Sequence, residues 1–220
     1  GGSPHNTPAL YSIMSHVDLN LNVFYPEGGI AGVVDGLADL CRELGVELNT
    51  GVGVERIDGS AGSFTLRTEA GDEPADVVVS NANPAYTERE LLPAAHRAHD
   101  ESYWEDRTYA PSAFMLYLGV EGDVGDLAHH SLVLPTDWDS HFESIFDDPA
   151  WPSDPAYYLS VTSKTDDTVA PSGHHAVVVL VPIAPGIEDG PAMRSQFREQ
   201  VLNDLATHAG VDFRDRIVTE

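Results

Sequence analysis

Asn6, Tyr11, His16, Tyr25 and Glu27 surround a glycine turn, Gly28-Gly29, in a chain of 220 residues. Polar and aromatic side chains gathered at such a turn can line a ligand cleft, because glycine permits positive φ and close approach of the backbone. The same residues suit a packed surface loop, and the sequence leaves both readings open. One specific use is missing from the spacing. A pyrophosphate is held by G-x-G-x-x-G between a strand and a helix, and Gly28-Gly29-Ile30-Ala31-Gly32 does not have that spacing. The two glycines therefore lead a helix without forming a complete phosphate cradle.

Other groups that could carry chemistry have plainer readings. Asp58-Gly59-Ser60-Ala61-Gly62 has aspartate where a nucleophile elbow needs glycine, so it reads as a turn. No H-E-x-x-H occurs. The histidines invite a metal reading at His96-x-x-His99, His129-His130 and His174-His175. Adjacent residues of a strand point to opposite faces, His96 and His99 lack a third ligand placed by sequence, and no metal is expected. Cys41 is the only cysteine, which excludes an internal disulfide. It falls on an apolar helix face and reads as a buried structural thiol. Asp166-Asp167, in so acidic a chain, reads as a solvated loop.

These groups need elements to hold them. Residues 1–24 are polar and turn-rich, with a short helix expected around Tyr11 to His16. From Ile30, apolar side chains recur at Val33, Val34, Leu37, Leu40, Cys41 and Leu44, the stripe of an amphipathic helix that Gly45 stops. Strands are expected at Val52–Ile57, Ser63–Glu69 and Ala75–Asn81, separated by the turn sequences DGSAG and AGDEP. The third is apolar without alternation, as a strand buried on both faces would be. Asn83 can cap a short helix that Pro84 opens and Pro93 closes. Further strands are expected at residues 111–120, 130–135, 156–163 and 174–183, with helices at Asp137–Phe146 and Pro191–Ala209. The last helix sets Met193, Phe197, Val201, Leu202 and Leu205 on one face. The expected fold class is α+β: a helix with a three-stranded meander, then a mixed sheet with helices.

Composition narrows the partners. There are 36 acidic residues against 11 basic ones, a net charge of -25, and Lys164 is the one lysine. Nucleic acid is not an expected partner, since binding its phosphates needs a basic surface. The acids are spread along the chain, which suits a hydrated surface in high salt, where screening shortens the reach of self-repulsion. A 42% hydrophobic content is enough for a core. The longest apolar run, Ala176–Ala184, falls well short of the roughly 18 residues of a spanning helix and reads as a buried strand. The chain begins in loop-like composition without methionine, as a piece of something longer would.

The order of the pieces carries a resemblance. GGSPHNTPALYSIMSHVDLNLNVFYPEGGIAGVVDGLADLCRELGVELNTGVGVERI resembles the middle of the phytoene desaturase family of carotenoid biosynthesis. ADVVVSNANPAYTERELLP, SAFMLYLGV and DPAYYLSVTSKTDDTVAPSGHHAVVVLVPIAP continue the match in the family's order. The family is built on the flavin amine-oxidase plan, and its members are about twice this length. Its N-terminal G-x-G-x-x-G unit and its C-terminal flavin-contacting segment have no counterpart here. The resemblance thus implies a central fragment. Residues 1–45 would be the start of the substrate domain and a linking helix, 46–83 a meander of a Rossmann-like FAD-binding domain, and 84–220 most of a substrate-binding domain.

By the same resemblance Val54 runs along the adenosine part of FAD, and Ser80, Asn81 and Ala82 end a strand near the cofactor. The glycines would lead the chain back toward the flavin domain. The implied reaction passes a hydride from a C40 polyene to the flavin while a proton leaves the neighbouring carbon. The cofactor supplies that chemistry, and the protein supplies an apolar tunnel. Glu27 is the candidate acid/base. Weak or absent FAD binding by the isolated 220 residues, a polyene lipid substrate, and a cytoplasmic, peripherally membrane-associated protein are implied. Two alternatives stay open: another flavin oxidoreductase, acting on carotenoids, retinoids or amines, and a non-catalytic binding module derived from the same domain.

Overall fold

The computed structural model describes residues 7–208, 210 and 212–220. A helical stretch opens it: a 3-10 turn (Ala9–Ser12), α1 (Ile13–His16) and a π turn (Val17–Leu21). Then come α2 (Gly29–Glu43) and the strands β1 (Val54–Ser60), β2 (Ser63–Thr68) and β3 (Gly71–Ala75). Short helices α3 (Pro84–Tyr86) and α4 (Glu101–Glu105) lead to β4 (Ser112–Glu121), β5 (His130–Val133), α5 (Trp138–Phe146), β6 (Tyr157–Ser160) and β7 (His174–Ile183). The last elements are α6 (Pro191–His208) and β8 (Ile217–Thr219). The chain divides into two compact units. One joins the residues up to Leu37 with Tyr109–Glu220; the other is Ala38–Thr108, which contains the 83/84 position expected as a boundary.

The larger unit holds a five-stranded sheet in the order β5-β6-β7-β4-β8. Period-2 alternation assigns its two faces. Leu116, Leu118 and Val120 of β4 pair with Val179, Val177 and His175 of β7, and Leu159 of β6 pairs with Val179. On this face the apolar residues meet Phe197, Val201, Leu202 and Leu205 of α6 in one buried core. The fifth residue of the expected helix stripe, Met193, is exposed. Within the core, Phe114 packs edge-on to Phe197 at 5.1 Å. Tyr157 is buried and donates its hydroxyl to Asp204 of α6 at 2.8 Å. Close approach of β8 to β4 requires glycine at 119, where a Cβ would stand 2.5 Å from Thr219 Cγ2.

One expectation for this sheet needs correction: all of its pairings are antiparallel, so it is not mixed. The unbroken apolar run of β7 arises because the strand lies inside the sheet, between β6 and β4, with no parallel neighbour. The α+β class itself holds.

The smaller unit contains the meander, β1-β2-β3, paired antiparallel throughout. Ile57, Ala85 and Leu91 form its buried apolar positions. Asn83 accepts N–H bonds from Ala85 at 2.9 Å and Tyr86 at 3.3 Å, with Pro84 in the first turn. The third strand is the correction here. It lies at Gly71–Ala75, all but its last residue in the stretch expected as a turn, and residues 76–82 have no strand structure. Val77 is 75% exposed and Val79 is 89% exposed, not buried on both faces. Gly71, at φ +129°, allows an immediate return from Thr68, so β3 starts earlier than the apolar run suggests.

The stripe of α2 is also corrected. Ile30, Val33, Val34, Leu37, Leu40 and Leu44 are exposed, and Cys41 is only half-buried. The helix itself is as expected, and it ends where Gly45 at φ +79° lets Val46 N–H return to the Cys41 carbonyl at 2.9 Å. An apolar stripe specifies a helix locally; burial requires a covering element as well.

Candidate functional site

The glycine turn is a closed structure tied to a distant loop. Gly29 N–H donates to the Pro26 carbonyl at 3.0 Å, with Gly28 at φ +79° and Gly29 at φ +80°. Tyr25 O–H at 3.3 Å and Gly28 N–H at 3.2 Å both donate to Asp166 Oδ2. The other oxygen, Oδ1, accepts the N–H of Thr168 at 2.9 Å and its hydroxyl at 2.5 Å. Asp166 is only 8% exposed. The Thr168 hydroxyl, then the Thr168 N–H, hold its carboxyl below the usual carboxylate range, against the raising effect of burial; Tyr25 and Gly28 lower it further. The same partnership with Asp166, after burial, pushes the Tyr25 phenol upward.

Asp166 therefore is not part of a solvated loop, although Asp167 is exposed. Its local signal was Asp-x-Thr, in which an aspartate side chain accepts the N–H two residues on. The long-range partners, 138 and 141 residues away, carry no sequence signature. The arrangement also occupies the two glycines. Both N–H groups are committed to protein acceptors, and a carboxylate stands where a phosphate would need positive potential. This turn does not cradle a pyrophosphate.

A row of rings continues from the turn. Tyr25 meets His129 edge-on at 4.6 Å, His129 lies 4.3 Å from His130, and His130 lies 5.8 Å from Tyr158. His129 Nδ1 is 2.5 Å from Thr165 Oγ1, and His130 Nδ1 is 2.6 Å from the Tyr158 hydroxyl. Burial, then His130, lowers the His129 pKa, partly offset by Asp166. The two rings approach each other because His129 precedes the first residue of β5 and escapes strand alternation. Among the described residues, no group of three or more His, Cys, Asp or Glu is placed to hold a metal ion.

The other expected site residues disperse. Glu27 is exposed and lines a cavity of about 490 Å³ with Tyr25 and Thr165–Thr168. Tyr11 and His16 are exposed on the helical stretch 9–21 and do not line that cavity; Asn6 lies outside the described residues. Val54 is half-buried at the start of β1, paired with Thr68 beside a bulge. Ser80, Asn81 and Ala82 are exposed in irregular backbone, with Ser80 Oγ 2.8 Å from Thr87 Oγ1. They do not end a strand, since none forms there.

What sequence reasoning missed is the second face of the five-stranded sheet. Met115 and Tyr117 of β4 pair with Leu180 and Val178 of β7; Tyr158 pairs with Leu180 and with Leu132. All six point away from the α6 side, and Tyr117 is 64% exposed. A cavity of about 600 Å³ opens on this face, lined by Tyr117, Ala176, Val178, Val169, Pro171 and Val218 among others. Alternation along β4 and β7 was hidden in the sequence because both faces are apolar.

Comparison with known proteins gives this chain a family. A family model described as flavin containing amine oxidoreductase matches residues 3–219. The chain belongs to that family. Within it the chain is similar to a carotenoid 3,4-desaturase of Haloarcula japonica, with 60% identity over all of this chain and 45% of the relative. It is 33% identical to a 4,4'-diaponeurosporene oxygenase of Staphylococcus haemolyticus, over all of this chain and 44% of that protein. A zeta-carotene-forming phytoene desaturase of Myxococcus xanthus is 34% identical over 90% of this chain and 39% of its own. The chain thus spans less than half the length of these relatives. Among solved structures, an oxidoreductase from Methanosarcina mazei shares the fold at TM-score 0.58 and 18% identity, covering 87% of this chain and 40% of that one.

Proposed function

We propose that this chain forms the polyene-binding half, with a piece of the flavin unit, of an FAD-dependent carotenoid desaturase. The enzyme would remove a hydride and a proton from neighbouring carbons of a phytoene-type C40 polyene and extend its conjugation by one double bond. The observation that carries the reading is the open sheet face. A polyene hydrocarbon offers no hydrogen-bonding group, so its binding rests on apolar area removed from water, about 25 cal/mol per Å². Met115, Tyr117, Leu132, Tyr158, Val178 and Leu180 supply such a surface, and the names of the relatives supply the substrate class.

FAD would bring the hydride acceptor, and the residues present fit only part of it. Val54, half-buried, suits the adenosine side, and the exposed side chains of Ser80 and Asn81, with the backbone of Ala82, suit a polar edge. No described residue makes the glycine loop that holds the pyrophosphate. Residues 46–83 belong to the FAD-binding part in this reading, and 84–220 with 1–45 to the substrate part. The exposed stripe of α2 and exposed Val77 and Val79 are the surfaces on which the rest of the protein would pack. Glu27 is the acid/base candidate, open to solvent beside Tyr25.

Substrate would arrive from lipid. Leu10, Ile13, Met14, Leu19, Leu21, Val23 and Phe24 are exposed and suit peripheral contact with a membrane on the cytoplasmic side. Among the described residues no helix is long and apolar enough to cross one. The reading is tested by incubating the complete protein with phytoene, neurosporene-type and diapo-polyenes and analysing the products. Lengthened conjugation in at least one supports it. Oxidation of an amine instead, with every polyene unchanged, overturns it.

A further inference from the structure

We propose that Asp166 is a positioning residue for that reaction, anchoring the Tyr25–Gly29 turn from which α2 starts; the proposal rests on reading the chain as part of a flavin-dependent polyene oxidoreductase. Asp166 belongs to the loop between β6 and β7, far along the chain from the turn. It is buried, yet among the described residues no arginine or lysine pairs with it, and its four hydrogen bonds come from Tyr25, Gly28 and two groups of Thr168. Thr168 orients the carboxylate by filling one oxygen, which leaves the other aimed at the turn. Tyr25 is braced in addition by the His129 ring.

Position matters here because the anchored turn carries Glu27, the acid/base candidate. Reacting groups misplaced by about 1 Å can lose about a hundredfold in rate. Glu27 sits within the anchored turn and lines the cavity that Asp166 also lines, so its carboxylate is placed by the same contact.

The test uses Asp166→Asn and Tyr25→Phe in the complete protein. The amide of Asn keeps the size but only one accepting oxygen, so either Thr168 or the turn loses its acceptor. Hydrogen exchange at the Gly28 amide is expected to rise about tenfold in Asp166→Asn. Turnover of an acyclic C40 polyene is expected to fall about tenfold, with KM and FAD affinity within about twofold of wild type. A purely structural role would lower melting temperature, flavin content and turnover together, and that result overturns the proposal. So does unchanged Gly28 exchange, or full turnover once that amide is freed. Tyr25→Phe removes a single bond and carries the test if Asp166→Asn does not fold; about a threefold rise in Gly28 exchange is expected. A wild-type protein that turns over no polyene overturns the enzyme reading, and the exchange measurement alone then decides whether Asp166 anchors the turn.

Discussion

Gly28 and Gly29 have almost the same backbone angle but different surroundings, and alanine at each position should separate the two effects. Their φ values are +79° and +80°. An L-residue in this region costs roughly 1–2 kcal/mol, and that cost applies to both. A Cβ at Gly28 meets nothing within 4 Å, whereas one at Gly29 would stand 3.1 Å from the Tyr25 hydroxyl oxygen. Gly29→Ala should therefore shift the Tyr25 hydroxyl by a few tenths of an ångström and stretch its bond to Asp166 past hydrogen-bonding distance. A hydrogen bond to a charged group contributes about 1.5–3 kcal/mol, and its 3.3 Å length places this one at the low end. Gly29→Ala should thus cost about 1.5 kcal/mol more than Gly28→Ala, read as the lower melting temperature of the two. The assay is thermal and urea denaturation of the complete protein in high salt. In a Tyr25→Phe background the difference should vanish, because the colliding oxygen is gone. Equal costs for the two alanines, or a coupling to Tyr25 below about 0.5 kcal/mol, would refute the reasoning.

Other outcomes follow from the same structure. His141 is 4% exposed, its Nδ1 has no partner, and burial lowers its pKa despite Asp154 nearby. The unfolded chain then takes up a proton that the folded one refuses, so stability should fall as pH drops below the ordinary histidine value. His141→Phe should flatten that dependence below about pH 6.5; unchanged pH curves would count against it. With 36 acidic against 11 basic residues, melting temperature should fall from 1 M to 0.1 M salt as the screening length grows from about 3 to about 10 Å. A salt-independent melting temperature would show that the surface is not strained. Val54→Asp should weaken FAD affinity of the folded protein at least about tenfold, and Val54→Ala much less, since an unpaired charge resists burial. Wild-type affinity in Val54→Asp would mean that β1 does not meet the cofactor.

Legibility in the sequence followed the range of the interactions. Caps and breakers were readable: Asn83 caps as its type suggests, and Gly45 ends α2. Strands β4 and β7 and helix α6 were readable from long apolar patterns, within a residue or two. Failures came where a pattern admits two environments. The valines of 77–79 look like a doubly buried strand, but Val77 and Val79 are exposed and Val78 is half-buried, and the stripe on α2 looks like a core face but is open. Nothing local distinguishes an apolar segment that packs within these 220 residues from one that does not. The site was half legible. Tyr25, Gly28 and Gly29 were singled out by type and spacing, while Asp166 was dismissed because a carboxylate in an acidic chain is usually solvated. Its partners are set by the tertiary fold, which no spacing rule reaches. The open sheet face was missed for the opposite reason: with both faces apolar, periodicity cannot say which one meets α6.

The central claim is that this chain belongs to an enzyme that oxidises polyenes with FAD. The most direct measurement purifies the complete protein, identifies the flavin released on denaturation, and follows an acyclic C40 polyene by absorption under anaerobic conditions with that flavin as acceptor. Near-stoichiometric FAD, bleached as the polyene spectrum moves to longer wavelength, is the predicted result. A flavin that stays oxidised while the polyene spectrum does not move would contradict the claim.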